Sequence, residues 1–276
     1  MYPVLLEVQG FQIPTYGFVY LVGFVIGLWM VGPIAREEGF CPHRIRRLGI
    51  ECIIVARIGS VFIAALVSRT GTSIGQLARY TGAFSWALLV GMLFVWVYTR
   101  YHRLPHYKVL DCFSLPLVLG QAIGRIGCVT AGCCYGTVTT SSVGVTFRNP
   151  LSHKISGVPL NVKLHPVQLY ECGAAIITFA FLSWLNKRYK GHWRDGQRFS
   201  VMLGAVSVSR LLLDVFRYDH GRTLLWGVMS LPQLVAFALL MLSIVLWCSI
   251  QKRYAGALRL KSEWQADQAI GWPDHE

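Results

Sequence analysis

Three arginines stand where a charge is costly. Arg125 lies deep in an apolar run, within Gly120-Gln-Ala-Ile-Gly-Arg-Ile-Gly-Cys-Val-Thr-Ala-Gly-Cys-Cys-Tyr-Gly136. An ionisable group in hydrocarbon costs about 2.5–3.5 kcal/mol on insertion scales, so it needs a partner or a task. Gly120, Gly124, Gly127, Gly132 and Gly136 crowd the same segment and let a backbone or a ligand approach closely. Arginine among glycines at a membrane boundary suits the oxygens of a phosphate or an ester. Packing against a neighbouring helix is the plainer alternative.

Arg210, Asp214 and Arg217 follow one another at helical spacings of four and three, which places them on nearly one face. An aspartate between two arginines can orient one guanidinium fork and leave the other for an anion; an internal salt bridge is the alternative. His165-Pro-Val-Gln-Leu-Tyr-Glu171 opens another apolar run, with Pro166 suited to a first helical turn. His165, Gln168, Tyr170 and Glu171 group there as polar candidates. Tyr16 and Tyr20 open the first run, where interfacial anchoring alone would also account for them. Among eight cysteines only Cys128, Cys133 and Cys134 cluster. Their spacing lacks the paired CxxC pattern of structural zinc sites, so helix packing is expected of them, with no metal. A thiol-redox or metal-handling role is the alternative.

These residues must be held by helices in a membrane. The 276 residues are 54% hydrophobic and 14% charged, whereas a soluble domain carries about a quarter charged residues. Much of the surface therefore faces something other than water. Runs long enough to span are about 14–35, 49–67, 83–99, 109–131, 167–186, 199–216 and 228–250, given that a span needs about 20 residues. Arg57 and Arg210 interrupt the second and sixth. The first run has no preceding Lys or Arg and is too long for a signal-peptide core, so it is expected to stay as a span. The expected architecture is an all-α integral membrane protein of about seven transmembrane helices forming a single transmembrane domain over 1–276.

The net charge of +13 is spread between apolar runs and forms no single stripe, which excludes nucleic acid as a partner and points to the lipid bilayer. Segments 36–48, 100–108, 187–198 and 251–276 hold 16 Lys and Arg, against 7 in the alternate segments. By the positive-inside rule the former are cytoplasmic, the amino end is outside (periplasmic), and the carboxyl end is cytoplasmic. The longest loop, about 132–166, is then external. Its Thr, Ser, Val and Gly content, punctuated by Pro150, Pro159 and Pro166, suits short strands or a mobile flap, a candidate lid.

In this order, the motifs resemble those of the prolipoprotein diacylglyceryl transferase family. Tyr16-Gly-Phe-Val-Tyr-Leu-Val-Gly-Phe24 is similar to its first helix, and Ala56-Arg-Ile-Gly59 to its Gly-Arg-Ile-Gly segment. Gly124 to Gly136 takes the place of the signature Gly-Arg-x-Gly-Asn-Phe-x-Asn-x-Glu-x-x-Gly. His165 to Glu171 resembles His-Pro-x-Gln-Leu-Tyr-Glu, Arg210 to Arg217 resembles Arg-x-x-x-Glu-x-x-Arg, and Ser230-Leu-Pro-Gln233 resembles Ser-Met-Gly-Gln. The signature asparagines and glutamate are Cys128, Ala131 and Cys133 here. Phe84-Ser-Trp-Ala-Leu88 replaces a histidine-containing turn, and Val206 stands where the family has a tyrosine.

The resemblance implies a multi-pass enzyme of the bacterial inner membrane. It would move a diacylglyceryl group from phosphatidylglycerol to the lipobox cysteine thiol in a prolipoprotein signal peptide, with no cofactor. Arg125 and Arg217 would bind the phospholipid head, and Arg210 would neutralise developing charge or favour the thiolate. Tyr16, Arg57, Gly124, Gly127 and Gly136 would shape the pocket, with His165, Gln168, Glu171 and Asp214 bordering it. A paralogous transferase with another acceptor and a non-catalytic lipid-binding protein are the remaining alternatives.

Overall fold

A computed structural model describes residues 4–8, 11–69, 73–217, 224–225 and 229–269. The comparison at Phe84–Trp86 concerns side chains outside the described residues, as does most of the segment 217–227 used in the charge count. A short hairpin, β1 (Val4–Val8) with β2 (Phe11–Pro14), leads into α1 (Thr15–Glu37). Then come α2 (Pro42–Arg69), α3 (Ser73–Tyr101) and α4 (His106–Ala131). The segment between α4 and the next long helix contains β3 (Val145–Thr146), α5 (Pro150–Ser156) and β4 (Lys163–Leu164). The chain continues through α6 (Val167–Arg188), α7 (Gln197–Leu213) and a 3-10 turn at Asp214–Phe216. The small β5 (Leu224–Leu225) and β6 (Met229–Ser230) hairpin precedes α8 (Leu231–Ala269).

Each expected apolar run lies in a helix: α1, α4 and α6 exceed it by one to three residues and α2, α3 and α8 by nine to sixteen, while α7 is one residue shorter and passes into the 3-10 turn. Among the described residues, five helical segments are long and apolar enough to cross a membrane: Thr15–Glu37, His106–Ala131, Val167–Arg188, Gln197–Phe216 and Pro232–Gly256, with a shorter apolar stretch at Ala87–Tyr101. Large apolar side chains face outward, among them Phe18, Trp29, Phe62, Ile177 and Leu212, while Ser, Asp and Gln are buried between helices. This arrangement fits a hydrocarbon solvent, and the chain is an all-α integral membrane protein.

Packing brings α2 onto α3, α1 onto α4, α4 onto α6 and α7 onto α8. Polar contacts fix the longitudinal register. Asp111, near the start of α4, accepts from the backbone N–H groups of Gly196 (2.6 Å) and Phe199 (2.8 Å) at the start of α7. Ser200 Oγ donates to the Ser243 carbonyl and Ser243 Oγ to the Ser200 carbonyl, both at 2.8 Å, which clasps α7 to α8. Gly204 makes room for this clasp, since a Cβ there would stand 2.9 Å from Ser243 Oγ.

The segment 132–166 is folded. Of the two expected forms, short strands are present, and α5 is an addition. Asn149 caps α5 by accepting from Leu151 N–H, Pro150 takes its first position, and Gly157 ends it at φ +71°. Tyr135, Phe147, Val158 and Leu164 form a small core of their own beneath it.

Candidate active site

Glu171 is the hub of the site. It sits in the second turn of α6 and is 5% exposed. Arg125 Nη1, from α4, lies 2.7 Å from its Oε2. Arg210 Nη1, from the last turn of α7, donates to its Oε1 at 2.5 Å, and Arg217 Nη1 is 3.5 Å from the same oxygen. Asp214 is buried at 1% exposure, with Arg210 Nη2 3.9 Å from Oδ1 and Ser230 Oγ donating to Oδ2 at 3.0 Å. Among the described residues, three arginines against two carboxylates give the cluster a formal charge of +1. Two carboxylates neutralise enough of the charge to let the guanidiniums share a partly buried site, and the remainder suits one anion.

The sequence reading placed Arg210, Asp214 and Arg217 on one helical face with Asp214 as organiser. That needs correction. The helix α7 stops at Leu213, and the 3-10 turn leaves Arg217 with extended backbone. Arg217 is positioned by an isolated antiparallel bridge to Gly136, not by helical periodicity. Glu171, expected only to border the pocket, is what gathers all three arginines.

Backbone packing at Gly136 permits this convergence. Its N–H donates to the His165 carbonyl at 2.9 Å, and Thr137 N–H donates to the Phe216 carbonyl at 2.9 Å. A Cβ at Gly136 would stand 2.6 Å from His165 Cβ and from the His165 and Phe216 carbonyl oxygens, a space only glycine can leave. Gln168, also buried, donates from Nε2 to the Cys133 carbonyl at 2.6 Å. The His165 ring lies 3.3 Å from the Tyr170 hydroxyl and packs against Phe216.

From α1, Tyr16 lies over Gly127 and Tyr20 over Gly124. Their rings come to 3.5 Å and 3.1 Å of where a Cβ would be, and the rings contact each other at 4.4 Å. Tyr16 therefore lies on the Gly127 face of α4, about 200° round the helix from Arg125. Arg57 is different: it is exposed on α2 and makes no ion pair among the described residues, so no contact joins it to the cluster.

The cysteines also depart from expectation. Their sulfur atoms all lie within 4.8 Å of one another, so more than separate packing is present. Hydrogen bonds with Cys128 and then Cys133, followed by the Arg217 and Arg125 charges, hold the Cys134 thiol below the usual range. Hydrogen bonds with Cys128 and Cys134, together with burial, push Cys133 above it. Asp111 escaped the sequence reading altogether, although an aspartate inside an apolar run carries the same cost that singled out Arg125.

Fold and site together define a polytopic membrane protein with a cationic cluster where the ends of α4, α6 and α7 meet. The chain belongs to the prolipoprotein diacylglyceryl transferase family, whose family model matches residues 3–249. It is 27% identical to the phosphatidylglycerol–prolipoprotein diacylglyceryl transferase of Clostridium tetani, over 79% of this chain and 86% of that protein. It is 26% identical to the second such transferase of Clostridium perfringens, over 88% and 93%. With the Wolbachia pipientis transferase it shares 26% identity, over 94% of this chain and 96% of that protein.

Proposed function

We propose that the protein transfers a diacylglyceryl group from phosphatidylglycerol to the cysteine thiol of a prolipoprotein signal peptide. The observation that carries this reading is the cluster of Arg125, Arg210 and Arg217 about Glu171 and Asp214, +1 as a set and matched to one phosphodiester anion. In the reaction a carbon–sulfur bond forms at the glyceryl carbon, the carbon–oxygen bond to phosphate breaks, and glycerol phosphate leaves with the thiol proton. Arg125 and Arg217 bind the lipid phosphate, and Arg210 takes up the charge that grows on the leaving oxygen. Permanently charged, pre-positioned forks suit that task in a site screened from water. Positive charge nearby also favours the attacking thiolate.

Glu171 positions the three guanidiniums, and Gly136 with Gln168 holds the strand and turn around them. Tyr16, Gly124 and Gly127 form the pocket wall against α1, with His165 and Asp214 at its border. Arg57 belongs to the outer approach of the donor lipid. The chain is one transmembrane unit in the bacterial inner membrane. Its amino end and pocket face outward, its carboxyl end lies in the cytoplasm, and α2 and α3 complete seven spans.

Purified protein in detergent, given phosphatidylglycerol and a synthetic lipobox peptide, tests the proposal by mass spectrometry. The expected products are a diacylglyceryl thioether on the peptide and free glycerol phosphate. Arg125→Ala and Arg210→Ala should each abolish both products while the protein remains in the membrane. Undiminished product from both variants would refute the assignment. Cys128, Ala131 and Cys133 at the signature positions favour a second reading, the same donor pocket serving another acceptor. That reading predicts bound phospholipid with an unmodified lipobox peptide.

A further inference from the structure

We propose that Cys128, Cys133 and Cys134 form a binding site for one thiophilic metal ion, with a coordination position left for a ligand from outside the trio. The proposal is independent of the transfer reading, because it concerns what the thiols hold and not what the pocket turns over.

The backbone assembles the trio in an unusual way. In an uninterrupted helix, positions 133 and 134 would point about 140° and 240° away from position 128, at about 100° per residue. Instead α4 ends at Gly132, which adopts φ +74°. Both Gly132 N–H and Cys133 N–H then donate to the Cys128 carbonyl, at 3.0 and 3.2 Å. This left-handed turn folds the two later cysteines back over the first and leaves all three sulfurs within 4.8 Å of one another. A tetrahedral zinc centre with bonds of about 2.3 Å needs sulfurs about 3.8 Å apart. Closing the difference takes side-chain rotation, not backbone rebuilding.

The turn is also firmly held. A Cβ at Gly132 would already stand 3.3 Å from Phe147, Ser152 and Val158, and Gln168 pins the Cys133 carbonyl. Such surroundings fix ligand geometry in metal sites. Cys134 itself has φ +58°, a conformation that glycine adopts without cost. A thiol is therefore present at a position where glycine would relieve the backbone, in a segment otherwise rich in glycine.

The electrostatic setting agrees. The trio sits at the carbonyl end of α4, the end of a helix that attracts cations. All three cysteines are free thiols. An all-sulfur set of three selects Cu(I), or Zn(II) with a fourth ligand from elsewhere.

The test uses the full chain, purified in detergent with reductant, loaded separately with Zn(II), Co(II) or Cu(I), and desalted. Retention of about one equivalent of Zn(II) or Cu(I) is expected, with a near-ultraviolet thiolate-to-cobalt charge-transfer band in the Co(II) form. Loading should protect Cys128, Cys133 and Cys134 from alkylation, read by mass spectrometry, while Cys41, exposed between α1 and α2, stays reactive. Cys133→Ser or Cys134→Ser should lower retention at least about tenfold, because losing a ligand costs no less than losing a group behind one. Retention equal to that of a chain with all three replaced by serine would overturn the proposal. So would protection that extends equally to Cys41, or a disulfide within the trio that leaves no metal response. If the variants fail to fold, alkylation of the unsubstituted chain decides alone, protection of the trio supporting the site and its absence overturning it.

Discussion

Replacing Glu171 by glutamine keeps the shape of the hub and removes its charge. The cluster then passes from +1 to +2, and three guanidiniums that shared one carboxylate face each other across it. Breaking a buried ion pair by removing one partner costs about 3–5 kcal/mol. Here the arginines keep 16–25% of their side-chain surface, so water screens part of the repulsion and about 3 kcal/mol is the better figure. A chain of this size loses about 2–4 °C of Tm per kcal/mol, which gives a fall of about 6–12 °C. Thermal unfolding in detergent, followed by tryptophan fluorescence, would measure it. The same variant should gain more Tm than the parent from added phosphatidylglycerol, because the anion replaces the missing charge. A Tm within about 2 °C of the parent, with no extra response to the lipid, would refute the claim that Glu171 gathers the arginines.

Gly136→Ala should reduce transfer at least about tenfold while leaving membrane insertion intact, since small misplacements of reacting groups cost that much or more. Product formation and membrane fractionation check it together. Asp111→Ala removes the acceptor of two buried backbone N–H groups and should cost about 2–6 kcal/mol, at about 1–3 kcal/mol for each unsatisfied donor. A Tm unchanged in that variant would mean the α4–α7 junction is held by packing alone. Gln168→Leu leaves the Cys133 carbonyl without its amide donor and should lower stability by about 1–3 kcal/mol. Denaturation of the purified variant and parent side by side would show the difference.

The helices were legible because hydropathy in a lipid solvent is a local property, and α1, α4, α6, α7 and α8 are found at their expected places. Their ends were less so, since termini such as His106–Lys108 are polar and leave the apolar pattern. The helix α5 was missed although Asn149-Pro150 and Gly157 bracket it as cap, first position and stop. The proline-rich composition of the loop obscured a seven-residue signal. In the site, Arg125 and Arg210 announced themselves by their cost in an apolar run. The role of Glu171 could not be read that way, because its partner Arg210 is 39 residues distant and the pairing depends on how α6 and α7 pack. Arg217 shows the converse error: regular spacing suggested a helical face that the 3-10 turn had already ended. The cysteine spacing resembled no zinc pattern for a related reason. The left-handed turn at Gly132, invisible to a spacing rule written for other loops, brings the sulfurs together.

The reciprocal serine clasp between α7 and α8 makes the two helices behave as a locked ruler. Sliding α8 by one turn, about 5.4 Å, would break both serine hydrogen bonds at once and carry Ser230 away from Asp214. A small axial tug on the long far end of α8 is therefore resisted in the middle of the bundle, before it reaches the arginines. A larger one arrives there undiminished, as a displacement of the serine that holds Asp214.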